Sequence, residues 1–333
     1  MPSRSLYLII SYNSSTQINL LVNLFAAGES HPLLLIHQDP RYPLDSETLE
    51  GCKKYGVRFI ANPIAIIWAH FSWIEAVLLS LKYAISLRIE FNWIHILSGN
   101  DVPIRPLEEL ESFLSCHDFD AYINIFKGSH PENLPSGLLG WESEMALLRY
   151  YYRYMSWNVP LHRYFRSIFF RMDRFLLRPF KLVRLILVKD GIKVGLRRVN
   201  HPFKNGFDCY AGSNWFSLSA RAIAACFVFL DRNPLYLRHY AGTHCPEESF
   251  FHSILGNQSD LKICQDSLRF IVWRAPGVPS PESLGVAVLK QSSGDSFFAR
   301  KVDLTNDPEL IRYLLHRLTN ARPVHKDKIS GSK

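Results

Sequence analysis

Two adjacent glutamates, Glu247 and Glu248, follow a proline in the stretch HCPEESFFHSIL, residues 244–255. A carboxylate held against a hydroxyl can take its proton, so the pair is a candidate for general-base chemistry. The same residues also suit an ordinary helix start. Pro246 fits a first helical turn, where acidic side chains are favoured by unpaired N–H groups and the helix dipole. On a helix the two side chains project about 100° apart, so at most one points at whatever Phe250, Phe251 and Leu255 cover. Local pattern alone favours first-turn residues over catalysis. Other chemistries lack their spacing. The thirteen histidines form no HxxH or HExxH pair, which argues against zinc, and His37 reads as a strand-end residue. No GxGxxG follows the first strand and no GxxxxGK[ST] occurs, which disfavours dinucleotide and P-loop readings.

The elements that must position these residues alternate as in a parallel α/β sheet. LYLIISYN, HPLLLIHQD, VRFIANP and FNWIHILSGNDVPI read as strands. Between them lie the helical stretches TQINLLVNLFAAG, SETLEGCKKYG and SWIEAVLLSLKYAISLR, the last with Ser72 as its N-cap. PLEELESFLSC, SARAIAACFVFLDRN, the glutamate stretch and PELIRYLLHRLTNA add helices, while FDAYINIF, FDCYAGSNWFSL and FIVWR add strands. Ligands of such sheets bind beyond the carboxyl ends of the strands. That points to residues 11–13, 37–39, 62–68 and 98–101. Gly99, Gly212 and Ser213 read as close-approach or turn positions.

Hydrophobic residues make up 47% and charged residues 20% of 333 positions, which suits one large α/β domain with a sizeable core. The domain is expected over residues 1–320, with a helical insert at about 140–200 and a poorly ordered tail at 321–333. The first apolar run is short and ends at Ser11, and no stretch reaches the ~18 uncharged apolar residues of a membrane span. Six cysteines without a CxxC pair read as free thiols of a reducing compartment. A cytoplasmic protein is expected, so the sequons at Asn13 and Asn257 carry no meaning.

The net charge of +8 is unevenly placed. Residues 161–198 hold eleven Lys/Arg against two Asp, and the rest of the chain, with 27 basic and 28 acidic residues, is nearly neutral. Arg163, Arg166, Arg171, Arg174, Arg178, Lys181 and Arg184 recur between Phe165, Ile168, Phe169, Phe175 and Leu176, as on a cationic amphipathic surface. It suits a helical insert packed on the domain, a peripheral contact with anionic membrane on its inner face, or a grip on an acidic polysaccharide. Nucleic acid is disfavoured, because no binding motif accompanies the charge.

Seven blocks occur together and in order: LIHQD, WAHFSWIEAVLLSL, IHILSGNDVPI, AGSNWFSLSARAI, CPEESFFHSIL, RFIVWR and FFARKVD. They resemble the core-2/I-branching N-acetylglucosaminyltransferases and protein xylosyltransferases across roughly residues 5–305, except about 130–205. The stem, membrane anchor and disulfide framework of the family's Golgi members have no counterpart, so the chain looks like a bacterial-type member. The resemblance implies a GT-A-like nucleotide-sugar-binding fold and an inverting transfer from a UDP donor. Its catalytic glutamate falls on Glu248, with Glu247 expected to face solvent or a helix-end partner. Asp39 and Trp68 match positions near the base, and Lys301, with Arg300 beside it, matches the cation at the diphosphate. Arg274 is a stand-in for a second arginine. Ser98, Gly99 and Asp101 line the donor side, and Gly212, Ser213, Trp215 and Trp273 the acceptor side. Asp118-Phe119-Asp120 spells the metal-binding DxD of many such enzymes but precedes its strand, so no metal cofactor is expected. The rival reading is a non-catalytic, membrane-associated carbohydrate-binding protein of a polysaccharide assembly complex.

Overall fold

The computed structural model describes residues 4–28, 31–128, 145–157, 168, 171, 182–188, 191–273, 280–292 and 294–319. Its first half alternates as the patterning predicts: β1 (Ser5–Ser11), α1 (Ser15–Phe25), β2 (Leu33–Gln38), α2 (Ser46–Lys54), the short β3 (Arg58–Phe59), α3 (Ser72–Ser86) and β4 (Trp93–Ser98). β1 and β4 are buried along their whole length, as parallel strands covered on both faces must be. Ser14 accepts from Gln17 N to cap α1, and Asp45 accepts from Thr48 N to cap α2, so each satisfies an orphan N–H. Ser72 is not the cap of α3. Phe71 occupies that position, and Ser72 Oγ instead accepts from Ile67 N at 2.9 Å, which ties down the loop after β3.

β5 (Val102–Pro103), α4 (Leu107–Cys116), β6 (Ala121–Tyr122) and β7 (Ile125–Lys127) lead to α5 (Met145–Tyr150), β8 (Tyr152–Trp157), β9 (Val183–Val188) and β10 (Gly191–Arg197). The last part comprises β11 (Tyr210–Gly212), β12 (Ser217–Ser219), α6 (Ala220–Arg232), α7 (Pro234–Tyr240), α8 (Phe250–Gly256), β13 (Ile263–Cys264), β14 (Arg269–Ile271), α9 (Val286–Leu289), β15 (Phe298–Arg300) and α10 (Pro308–Thr319).

The central seven-stranded sheet has the order β13-β6-β12-β4-β1-β2-β3. β4, β1, β2 and β3 run parallel, as do β13 and β6, while β12 runs against both its neighbours. This mixed, mainly parallel α/β architecture is consistent with the GT-A-like fold that the resemblance implies. One face packs on α3, α6 and α8, the other on α1, α4 and α10. Because β12 is antiparallel, its entry, with Trp215, lies beside the carboxyl end of β4. A smaller sheet, β14-β15-β5, abuts the same edge.

The insert is a correction to the sequence reading. Within its described part α5, Ile168 and Arg171 are helical, but β8, β10 and β9 form an antiparallel sheet that the helical reading did not foresee. Tyr152, Arg184 and Gly195 are buried on one face, while Met155, Trp157 and Leu196 are exposed on the other. The β-branched and aromatic content favours strands, and Asp190-Gly191 is a hairpin signal that a helical period conceals. Arg163, Arg166, Arg174, Arg178, Lys181, Phe165, Phe169, Phe175, Leu176, Arg274 and the tail at 321–333 lie outside the described residues. No helix among the described residues is long and apolar enough to cross a membrane. All six cysteines are free thiols.

Candidate functional site

Polar side chains gather where β2, β1 and β4 end. Asp39, just past β2, donates its N–H to Ser11 O at 2.7 Å. Its carboxylate accepts from Arg41 Nε at 3.0 Å, Arg41 Nη2 at 2.7 Å, Arg41 N at 2.9 Å and Ile66 N at 2.8 Å. Burial opposes the charge on Asp39, but these donors outweigh it and bring the pKa down to about 2. The Asp39 side chain is 1% exposed and Arg41 49%, so Arg41 is the member that faces outward. Sequence reasoning missed Arg41, although the tight Asp39-Pro40-Arg41 turn was a usable signal.

At the end of β4 the register of β15 against β5 pairs Ala299 with Val102, which sets the neighbouring Arg300 and Asp101 opposite each other. Arg300 Nη1 donates to both Asp101 oxygens at 3.0 Å and to Ser98 Oγ. Ser98 N also donates to Asp101, and the guanidinium lies 4.0 Å from the Trp215 ring centre. Trp215 meets Trp73 of α3 edge-on at 6.2 Å. Asp101 is fully buried with both oxygens engaged, a poor disposition for ligating a divalent ion. Lys301 is half-buried, and its carbonyl accepts from Leu284 N at 2.8 Å.

Arg269 lies beneath this corner, a buried residue that sequence reasoning did not single out. It donates to Ser217 Oγ at 2.8 Å, Ile96 O at 3.1 Å and Phe216 O at 2.9 Å, which locks β12 to β4. Burial lowers its pKa to about 9.

Two expected glycines have packing roles. A Cβ at Gly99 would lie 2.4 Å from Asn13 Oδ1, and one at Gly212 only 1.8 Å from Asn124 O. Ser213 O sits 2.9 Å from His252 Nε2, so Gly212 and Ser213 contact the buried junction of β7 and α8. Trp273 is half-buried just past β14. Asp118 pairs with Lys262, and Asp120 accepts from Arg221 Nη1 and Lys262 N at 3.0 Å each. Both stand at the amino end of β6, at the opposite end of the sheet from these side chains.

The glutamates do not begin a continuous helix. Cys245 has φ 49 and Ser249 φ −144, which isolates Pro246–Glu248 as a single 3-10 turn ahead of α8. Glu247, expected to face solvent, is buried at 8% exposure. Its pKa is pushed up to about 8, by burial first and by the neighbouring Glu248, and its Oε2 has no hydrogen-bond partner. Glu248 is the more accessible member, with its side chain 30% accessible and ion-paired to Arg149. Arg149 belongs to α5, in the stretch where the block resemblance lapses, so no motif announced it.

The loop after β3 joins these groups. Ile66 contacts Asp39 at one end of it. Near the other end Ala69 O accepts from Cys245 N at 3.4 Å and from Lys193 Nζ at 3.3 Å. Trp68, 70% exposed, places its ring against His244 at 6.4 Å. The loop thus runs from Asp39 to Cys245 and His244, just ahead of Glu248, while Trp215, under Arg300, meets Trp73 at the start of α3.

Fold and site together define an α/β enzyme-like protein with its polar groups at the carboxyl ends of parallel strands. The chain belongs to the core-2/I-branching enzyme family, whose model matches residues 7–174 and 180–293. That membership makes it a glycosyltransferase. The match continues through much of the stretch where the seven blocks gave no resemblance, and it stops before Arg300 and Lys301. Among curated proteins, none matches the chain.

Proposed function

We propose that the protein transfers a sugar from a UDP donor to a hydroxyl of a glycan or lipid-linked glycan, with inversion and by direct displacement. N-acetylglucosamine is the first choice of sugar and xylose the second. The observation that carries this reading is the partly exposed Glu248 carboxylate, paired with Arg149 on a turn whose Cys245 meets the 66–69 loop leading to the strand-end cluster. The acceptor oxygen attacks the anomeric carbon as the bond from that carbon to the UDP oxygen breaks. Glu248 takes the hydroxyl proton, and UDP leaves with the electron pair. A buried carboxyl such as Glu247 cannot reach a substrate hydroxyl, which favours Glu248 as the base. Lys301, with Arg300 beside it, offsets the charge developing on the diphosphate, and the step as proposed needs no metal. Arg41, anchored by Asp39, and Trp68 border the base, while Ser98, Gly99 and Asp101 shape the donor floor. Trp215 and Trp273 flank the acceptor side, and Gly212 and Ser213 act through the backbone they set.

Calorimetry with UDP-N-acetylglucosamine, UDP-xylose and UDP-glucose in EDTA tests the donor assignment: one of the three should bind selectively. Binding that returns only with manganese would keep the transferase and overturn the lysine-based account. Glu248→Gln should lower turnover by about 10²–10⁴-fold with donor affinity unchanged. Full turnover in that variant would overturn the base assignment. Absence of donor binding under either condition would favour a non-catalytic carbohydrate-binding protein.

A further inference from the structure

The insert sheet reaches the glutamate turn with a cation, Lys193, that makes no ion pair among the described residues. Lys193, on β10, places Nζ 3.3 Å from Ala69 O and 3.3 Å from His244 Nδ1. An ammonium only donates, so the histidine Nδ1 must accept and its proton sits on Nε2. Burial, with Lys193 and Arg149 nearby, brings the His244 pKa down to about 3, which keeps the ring neutral. Glu248 is paired with Arg149. Burial lowers the Lys193 pKa, and Glu247, itself pushed up to about 8 by burial, opposes that shift electrostatically without forming an ion pair. The polar partners of Lys193 Nζ among the described residues are Ala69 O and His244 Nδ1.

The surroundings add to the imbalance. Apart from Arg149, which Glu248 pairs, and the buried Arg184, the described residues 145–157, 182–188 and 191–204 contain Arg153, Lys193, Arg197, Arg198 and Lys204 and no acidic residue. Arg153 and Arg198 approach each other at Gly242, where a Cβ would lie 3.3 Å from Arg153 Cγ and 2.4 Å from Arg198 Nη2. Burial first, and then Arg153, lowers the Arg198 pKa. Like charges held together at a partly buried surface are costly unless an anion joins them.

We propose that Lys193, within this cationic sheet, forms a subsite for a negatively charged group of the acceptor, a carboxylate or a phosphate, beside the Glu248 turn. This rests on the glycosyltransferase reading and names the chemistry of its acceptor. Lys193 has a third N–H to give, and His244 presents Nε2–H next to the exposed face of Trp68. A sugar ring on that indole would bring its acidic substituent to the ammonium.

The test uses the full chain with donor present. Binding is measured for a hexuronate-containing oligosaccharide and for the same oligosaccharide with its carboxyls reduced to alcohols. The acidic form should bind about tenfold tighter, with inorganic phosphate competing. Lys193→Met should abolish the preference, and Lys193→Arg should retain it. Both variants should bind the UDP donor as the parent does, which reports on folding and on the donor site. Equal binding of the two forms, no binding of either, or an intact preference in Lys193→Met overturns the proposal. So does binding confined to phosphatidylglycerol vesicles and unaffected by Lys193→Met, which would assign the charge to a membrane contact. Loss of donor binding in the parent protein would instead strike the transferase reading itself.

Discussion

The strand-end corner and the glutamate turn treat charge in opposite ways. At the corner each carboxylate meets its cation: Asp39 holds Arg41, and Asp101 holds Arg300. The backbone there is set by a parallel sheet and by strand registers that leave little freedom. At the turn only Glu248 and Arg149 are matched. Glu247 is buried without a partner for Oε2, and Lys193 stands against a neutral histidine. A balanced ion pair with good hydrogen-bond geometry fixes the positions of both partners. An unbalanced group remains available to a proton or a ligand. The comparison assigns rigidity to the strand-end corner and responsiveness to the glutamate turn.

The strongest way to break the contrast is at the balanced corner. Asp101→Asn leaves Arg300 without its carboxylate and should destabilise the fold by about 3 kcal/mol, read from urea denaturation. A loss below about 0.5 kcal/mol would mean that the pair contributes little to the geometry of the corner.

Glu247→Gln sharpens the other half and should act in the opposite direction. The folded pKa of Glu247, about 8, lies above its ordinary value of 4.5. At lower pH than 4.5 both states carry the proton, and the substitution should change little. Between these values the unfolded chain releases the proton and the folded chain keeps it, so stability falls as pH rises, with the full penalty present above 8. The variant should therefore gain on the order of 1–3 kcal/mol near pH 9 and almost nothing near pH 4. A gain independent of pH would contradict a buried, protonated carboxyl.

The smallest effect on stability is expected at the rim between the two regions. Trp68→Ala should alter folding free energy by less than about 0.5 kcal/mol, since the ring is mostly in solvent, while weakening binding of the UDP-sugar or of the acceptor. Calorimetry with each ligand in turn shows which side the indole serves.

Much of the fold was legible because its signals are local. Apolar runs marked β1, β2 and β4, whereas Ser72, the one N-cap expected, does not cap its helix. The rule that ligands gather beyond strand ends led to Asp39, Ser98 and Asp101, and the structure places all three there. The insert misled because aromatic and arginine residues at mixed spacing fit a helical period, whereas strand pairing between distant segments decided its form. Arg41 was within reach of a short-range reading. Arg149 was not, since its partner Glu248 lies 99 positions away.

By itself the sequence determined the alternating architecture, the family and the two glutamates to weigh. The resemblance pointed to Glu248, but only the tertiary structure shows how differently the two glutamates are surrounded. They share a residue type and adjacent positions, so nothing local separates them. What separates them is solvent: the packing around the 3-10 turn and α8 removes water from Glu247 and raises its pKa, while the same turn leaves Glu248 at the surface against an arginine delivered by another element. Burial and charge pairing depend on what lies across space, and a single chain pattern does not record that.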